Sequence, residues 1–314
     1  MGMTLKNAIQ FIIRHNTIVI FLIMLIVSAS VSNAFFTANN LSNLIRQLAP
    51  VGIISMGMLL VILTGGIDLS VGSVVAMSGV LIALFSQSMS LPIAVLAALA
   101  SGILAGAISG YLVSYQKMAP FIATLALMTI VRGCGFIFSK GAPIMVADQA
   151  AALTDFGSGR TLGIPNPAII LFIVFAITAI ILKYHVFGRL LIAIGSNEEA
   201  VHLSGIKVRL YKFSVYAIIG GLAALAGIIS TARTSVGSPN LGVGMELDVI
   251  AAVVIGGTSL RGGKGSAADT FLGVLILGMM GNVMNLLDIT AYSQQIIKGL
   301  IIILAVLLQR FQDK

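Results

Sequence analysis

Residues 63–73 read L-T-G-G-I-D-L-S-V-G-S, with a long apolar run on either side. A carboxylate in such a place, Asp68, must bind something, terminate a helix, or lie nearer water than its neighbours suggest. Asp269 and Asp288 also fall close to the ends of apolar runs. These three are the candidates for a coupling-ion site of the kind a secondary active transporter carries. Arg132 is the one cation deep in an apolar run. It is placed to contact a polar substrate, to pair with Asp68 or Asp288, or to snorkel to an interface. Hydrolytic and metal chemistry find no foothold. His15, His185 and His202 are far apart, Cys134 is the single cysteine, and neither H-E-x-x-H nor G-x-S-x-G occurs. No metal site, catalytic set or cofactor is therefore expected, and an intramembrane enzyme ranks below a transporter.

The second glycine-rich break, V-V-I-G-G-T-S-L-R-G-G-K-G-S at 253–266, invites a phosphate-loop reading and fails it. A Walker A loop needs a glycine where Thr258 stands and Ser or Thr where Gly265 stands, so no ATP site is encoded. Its G-G-T-S-L echoes the G-G-I-D-L of the first break, and paired glycine interruptions mark substrate paths in transporters. Gly65, Gly66, Asp68, Ser70, Gly256 and Gly257 are accordingly the candidate helix-break or substrate-path residues. Within the first break, Gly65 and Gly66 end one helix and Leu69 begins the next. That puts the Asp68 carboxylate where it accepts from the amide of Ser70 or Val71 as an N-cap.

The elements around these breaks follow from composition: 58% of residues are hydrophobic and only 9% charged. A soluble domain carries roughly 25% charged residues, so the excess apolar surface must face lipid or other membrane helices. The expected fold is all-α and polytopic, a single transmembrane domain over residues 1–314. About ten membrane-spanning helices are expected, near 17–36, 47–64, 71–87, 91–114, 121–138, 166–183, 213–231, 247–257, 268–287 and 291–309. The segment 247–257 is too short alone, so it begins nearer Pro239 or is broken. The N-terminal run, ending S-A-S-V-S-N-A, has the look of a cleavable signal but is read as a retained anchor.

The net charge of +8 is spread through the polar breaks and not gathered into one face, which argues for topology and against nucleic acid. With an inner N-terminus and ten spans, the inner face receives Lys6, Arg14, Lys117, Lys183, Arg189, Lys207, Arg209, Lys212, Arg261, Lys264, Arg310 and Lys314. The outer face receives Arg46, Lys140, Arg160, Arg233 and Lys298. This asymmetry is what the positive-inside rule demands, and it makes both termini cytoplasmic. An outer loop then covers about 139–165 and an inner loop about 184–212. In the fourth span Gly102, Gly106 and Gly110 share one helical face, which is either a static packing surface or a sliding seam.

The inner loop carries G-S-N-E-E-A-V-H-L-S-G at 195–205. Ser196 with Glu199 three residues on forms a capping box, Glu198 and Glu199 suit the positive end of the helix dipole, and Gly205 is a C′ stop. The result is a helix of about two turns, too short to stand alone. It either lies on the protein's own bundle or docks a cytoplasmic partner.

Taken together, N-L-S-N-L-I-R-Q, L-T-G-G-I-D-L-S-V-G-S, P-F-I-A-T-L-A-L-M-T-I-V-R-G, the 195–205 segment, E-L-D-V-I-A-A-V-V-I-G-G-T-S-L-R-G-G-K-G and the final Q-I-I-K-G-L-I-I-I-L-A-V resemble the permease subunit of bacterial ATP-binding-cassette sugar importers of the ribose type. The resemblance covers nearly the whole chain. It implies a dimer of permeases in the bacterial inner membrane, two cytoplasmic ATPase domains and a periplasmic sugar-binding protein. Carried onto this chain, Gly195, Asn197, Glu198, Ala200, Leu203, Ser204 and Gly205, with the helix-dipole carboxylate Glu199 among them, would couple the bundle to the ATPase. The sugar path would be lined by hydroxyls and amides, with Asn282, Asn285 and Thr124 as candidates.

Overall fold

The computed structural model describes residues 16–312. The helices are α1 (Asn16–Val31), α2 (Ala38–Leu63), α3 (Val71–Phe85), α4 (Leu91–Ser114), α5 (Pro120–Ser139), α6 (Ala151–Ser158), α7 (Asn166–Tyr184), α8 (Val186–Ser196), α9 (Glu198–Leu203), α10 (Val208–Thr234), α11 (Met245–Ile255), α12 (Ala267–Leu286) and α13 (Ala291–Gln312). Four two-residue strands, β1 (Ile144–Met145), β2 (Arg160–Thr161), β3 (Ile164–Pro165) and β4 (Val236–Gly237), pair antiparallel as β1 with β4 and β2 with β3. Lys6, Arg14 and Lys314, which contribute to the charge asymmetry, lie outside the described residues.

Each of the ten expected segments is a helix, but only α2, α4, α5, α7, α10 and α12 are both long and apolar enough to cross a membrane among the described residues. The expectation of about ten spans is met for six. The α1, α3 and α11 helices are 16, 15 and 11 residues long, below the ~20 that a hydrocarbon core requires. The α13 helix, at 22 residues, has the length. Of the two readings for 247–257, the broken one is correct. Gly244, at φ +79°, precedes α11, and Gly256 with Gly257, at φ +80°, ends it. The α2 helix begins at Ala38, well before its apolar run, because Thr37 Oγ1 accepts from the Asn40 amide at 3.3 Å and starts a polar first turn.

Two helices form the centre. The α2 helix is buried almost continuously from Leu48 to Leu63, and α10 presents Val215, Tyr216, Ile219, Ala223 and Ala226 to the same core. Gly57 lets α10 approach, since a Cβ there would lie 3.0 Å from Ile219 and Leu222 side-chain carbons. The Gly102, Gly106 and Gly110 face meets α10 along its length. A Cβ on Gly102 would strike the Gly220 carbonyl, one on Gly106 the Tyr216 carbonyl, and one on Gly110 would lie 2.8 Å from the Phe213 carbonyl oxygen. Only glycines allow two helix backbones this close. Outward, α4, α5 and α7 expose Leu104, Ile130, Ile137, Ile177 and Ile180. Apolar faces on helices of this length mark a multi-pass membrane protein.

Polar segments collect at two opposite ends. At one end Arg46 Nη2 donates to the Ser158 carbonyl at 2.6 Å, and β1 of the 139–165 segment pairs with β4 beyond Arg233. At the other, the C-terminal end of α2 meets residues 195–196 and 261–263. Arg46 and Leu63 are separated by 17 residues of α2, about 25 Å at the helical rise. Residues assigned to opposite faces from charge alone therefore sit at opposite ends of one helix.

Candidate functional site

The two glycine breaks meet, though through different glycines than the sequence echo implies. Gly195, near the end of α8, lies against the Leu63 carbonyl and the Gly263 amide so closely that a Cβ on it would overlap both. The Gly263 amide donates to the Leu63 carbonyl at 3.0 Å, closing the contact. Gly262, at φ +89°, fills the remaining space: a Cβ there would lie 2.8 Å from the Gly65 nitrogen and 3.0 Å from the Gly195 Cα. Three segments distant in sequence thus cross backbone to backbone, and the left-handed conformation at Gly262 and Gly263 excludes side chains on conformational grounds as well. Gly256 and Gly257 are not part of this crossing. Gly256 packs on Asp269 and Thr270 at the start of α12, and Gly257 faces Thr17.

Beyond the crossing, α8, α9 and the first residues of α10, which starts at Val208, make up the 184–212 segment. The amphipathic α8 buries Gly188, Leu191 and Ile194. It continues through Ser196, which the capping-box reading does not allow. Ser196 Oγ donates back to the Ile192 carbonyl at 2.9 Å, and the cap of α9 is Asn197, whose Oδ1 accepts from the Ala200 amide at 3.0 Å. The reason is register: α8 still needs Ser196 for its last turn, so the next residue with a side-chain acceptor starts α9. Position N3 then falls on Ala200, and Glu199 cannot close a box. Gly205, at φ +82°, ends the helix as expected. No residue of α9 is buried, and Leu203 is 80% exposed. The helix is held at its N-terminal end: by Asn197, and by a 2.7 Å ion pair between Glu198 and Lys212 of α10.

Asp68 lies in the turn between α2 and α3. Its Oδ1 accepts from both the amide and the hydroxyl of Ser70, at 2.8 and 2.7 Å. The carboxylate therefore does what a cap does for one donor, but α3 starts at Val71, two residues later than expected. Ser70 is the cap residue, so the Asp68 contact is an Asx turn leading into the helix. Asp68 is buried, and its Oδ2 has no hydrogen-bond partner. Gly66 makes room for the Tyr216 ring beside it: a Cβ on Gly66 would lie 2.5 Å from the Tyr216 hydroxyl oxygen. That hydroxyl in turn donates to the Ile67 carbonyl at 3.4 Å.

The other candidates separate. Asp269 stands in the first turn of α12, whose cap Ser266 accepts from the Asp269 amide, and Asp288 is exposed at the turn after α12. Asp68 alone of the three carboxylates is buried, and among the described residues no cluster of three or more metal-ligating side chains occurs. Arg132 pairs with neither Asp68 nor Asp288. Its Nη1 donates to the carbonyls of Pro239 and Leu241, at 2.8 and 2.7 Å. Asn282 is engaged in a reciprocal amide pair with Asn40 of α2, at 2.9 and 2.8 Å, and Thr124 donates to the Pro120 carbonyl at 2.8 Å. Asn285 accepts from Gln294. A cavity that the sequence did not signal lies beside Arg132, lined by Ser73 of α3 and Glu246 of α11.

Known proteins similar to this chain point one way. Residues 40–306 match the family described as branched-chain amino acid transport system / permease component. The ribose import permease protein RbsC of Haemophilus influenzae is 44% identical over 306 residues, covering 96% of this chain and 94% of that protein. RbsC of Bacillus subtilis is 44% identical, covering 92% of this chain and 90% of that protein. The L-arabinose ABC transporter permease protein AraH of Azospirillum brasilense is 34% identical, covering 96% and 89%. No solved structure matches.

Proposed function

The chain belongs to the branched-chain amino acid transport system / permease component family, and from that premise we propose that it is the permease of an ATP-binding-cassette importer moving a ribose-like monosaccharide across the bacterial inner membrane. Its relatives are named as permeases of import systems, so the chain is a transport component and not an enzyme. In this reading residues 1–314 form one permease domain of about ten membrane helices, some of them short or broken at glycines, with both termini cytoplasmic. Two copies assemble with separate ATPase subunits, and a periplasmic sugar-binding protein delivers the substrate at the end that carries the 139–165 segment.

The observation that carries the coupling part is the crossing of Gly195, Leu63 and Gly263. The α9 helix stands clear of the bundle with Leu203 exposed, as a docking element must. Asn197, Glu198, Glu199, Ala200, Leu203, Ser204 and Gly205 form the surface offered to the ATPase, and Gly195 joins it to the crossing. A push on α9 passes through α8 into the crossing, and from there reaches both glycine breaks at once. Closing of the ATPase pair is thereby converted into movement of α3 on one side and of the 256–266 segment on the other. This is the kind of bistable contact that alternating access requires.

Two measurements test the reading. Purified in mild detergent from its native host, the chain should bring an ATP-binding-cassette ATPase with it. A cytoplasm-sensitive reporter fused after Ser196 should be active, and one fused after Asp155 silent. Purification without any ATPase, or the opposite reporter pattern at both sites, contradicts it.

A further inference from the structure

A cavity of about 370 Å³ opens between α5 and the first turns of α3 and α11, lined by Ser73, Thr129, Arg132, Gly133, Phe136 and Glu246 among others. It lies next to the 239–241 turn that follows β4, at the end of the bundle carrying the 139–165 segment. Two of its polar groups are unpartnered. Ser73 is fully buried and its Oγ has no hydrogen-bond partner, and Glu246 Oε2 is buried with none either. Buried polar groups are nearly always satisfied, so a hydroxyl and a carboxylate oxygen left open in one cavity call for something that donates and accepts there.

Backbone geometry brings the Glu246 carboxylate close to the start of α3. Gly72 precedes Ser73, and a Cβ on Gly72 would lie 2.5 Å from Glu246 Oε2 and would overlap the Gly242 carbonyl. Glycine at this position is what allows the carboxylate to rest over the first turn of α3. Arg132, also in the lining, is fixed by donating to the Pro239 and Leu241 carbonyls. The opposed charges make the cavity a poor site for a free cation or a free anion. They suit a neutral molecule bearing several hydroxyls, with Glu246 accepting, Ser73 donating and accepting, and Phe136 and Met128 offering apolar faces to its C–H groups. The volume lies within the range that small-molecule sites occupy, roughly 300–1,000 Å³.

We propose that this cavity is a way-station for the sugar on its path through the permease, with Glu246 and Ser73 as the hydroxyl-binding groups. The proposal rests on the sugar-permease reading and adds to it the residues that touch the substrate.

The test uses the full importer, permease with ATPase and binding protein, in proteoliposomes, with radiolabelled D-ribose as probe. Glu246→Gln and Ser73→Ala remove a binding group each. Gly133→Leu fills the cavity from a position where an added Cβ meets nothing within 4 Å, and Gly299→Ala on α13, equally open but away from the cavity, is the control. The expected result is a loss of maximal uptake of about tenfold or more in Glu246→Gln and Gly133→Leu, the worth of about one hydrogen bond to a charged group. Ser73→Ala loses less, and Gly299→Ala transports as the unsubstituted protein does. ATP hydrolysis stimulated by the loaded binding protein stays within about twofold in every variant. If Glu246→Gln does not assemble, Gly133→Leu decides. Normal ribose uptake by Gly133→Leu and by every variant that assembles shows a merely hydrated rim and overturns the proposal. Absence of ATP-driven uptake of ribose or any pentose by the unsubstituted importer instead overturns the reading beneath it.

Discussion

Gly195→Ala is the substitution for which the structure makes the sharpest demand. The added methyl would overlap the Leu63 carbonyl oxygen and the Gly263 amide nitrogen. Both are backbone atoms, so no change of rotamer relieves the overlap, and the crossing must open or the α8 end must move. Overpacking of this kind costs about 1–3 kcal/mol. Loss of the Gly263 to Leu63 hydrogen bond adds about 1 kcal/mol, and the better helix propensity of alanine returns about 1 kcal/mol. The net, about 1–3 kcal/mol, shifts the closed crossing by about 5- to 150-fold. Hydrogen exchange at the Gly263 amide in the detergent-solubilised permease reads this directly, and ATP-driven ribose uptake reads its consequence. Exchange at Gly263 should accelerate by that factor and uptake should fall, while Gly299→Ala, where an added Cβ meets open space, changes neither. Unchanged exchange at Gly263 together with normal uptake in Gly195→Ala would refute the backbone crossing as the coupling element.

Asp68→Asn keeps an oxygen for the Ser70 amide and hydroxyl and should retain most uptake, whereas Asp68→Ala loses both bonds, about 1–3 kcal/mol, and should lower the yield of folded protein more than activity per molecule. If Asn abolishes uptake in a permease that still assembles, the charge itself is functional. Asn282→Ala leaves Asn40 Oδ1 without its donor, while Nδ2 keeps its bond to the Phe35 carbonyl, and should lower thermal stability by about 1–3 kcal/mol. Part of that loss should be recovered in the Asn40→Ala/Asn282→Ala double variant, and strictly additive losses in this cycle would show the pair to be uncoupled. Glu199→Lys puts a positive charge on the exposed first turn of α9, costing about 0.3–1 kcal/mol there. Sugar-stimulated ATP hydrolysis should fall while membrane insertion stays normal, and unchanged hydrolysis would remove Glu199 from the docking surface.

Much of this architecture was legible because it is local. Apolar runs located the helices, Gly205 marked the end of α9, and Asp68 was read as the acceptor for Ser70. The cap of α9 was misread by one residue, since Ser196 and Asn197 are both good caps. What decides between them is α8, whose buried Gly188, Leu191 and Ile194 announce an amphipathic helix running through Ser196. The polar start of α2 escaped a reading based on hydropathy, because Asn39, Asn40 and Ser42 continue the helix without being apolar. The long-range pairings left no trace in either partner alone. Nothing near Gly195 announces Gly263, nothing near Asn40 announces Asn282, and the echo between the glycine pairs directed attention to Gly256 when the contact is made by Gly262 and Gly263. The cavity between Ser73 and Glu246 joins residues 173 positions apart and depends on Gly72 being small, which only three-dimensional proximity reveals.

The central claim is that this chain moves sugar with energy taken from a separate ATPase. The most direct measurement is uptake of radiolabelled D-ribose into proteoliposomes holding the permease, its ATPase partner and its binding protein, with and without ATP and with ion gradients collapsed. The account predicts uptake that requires ATP and all three components and survives collapse of every ion gradient. Uptake by the permease alone, driven by a proton or sodium gradient and indifferent to ATP, would contradict it.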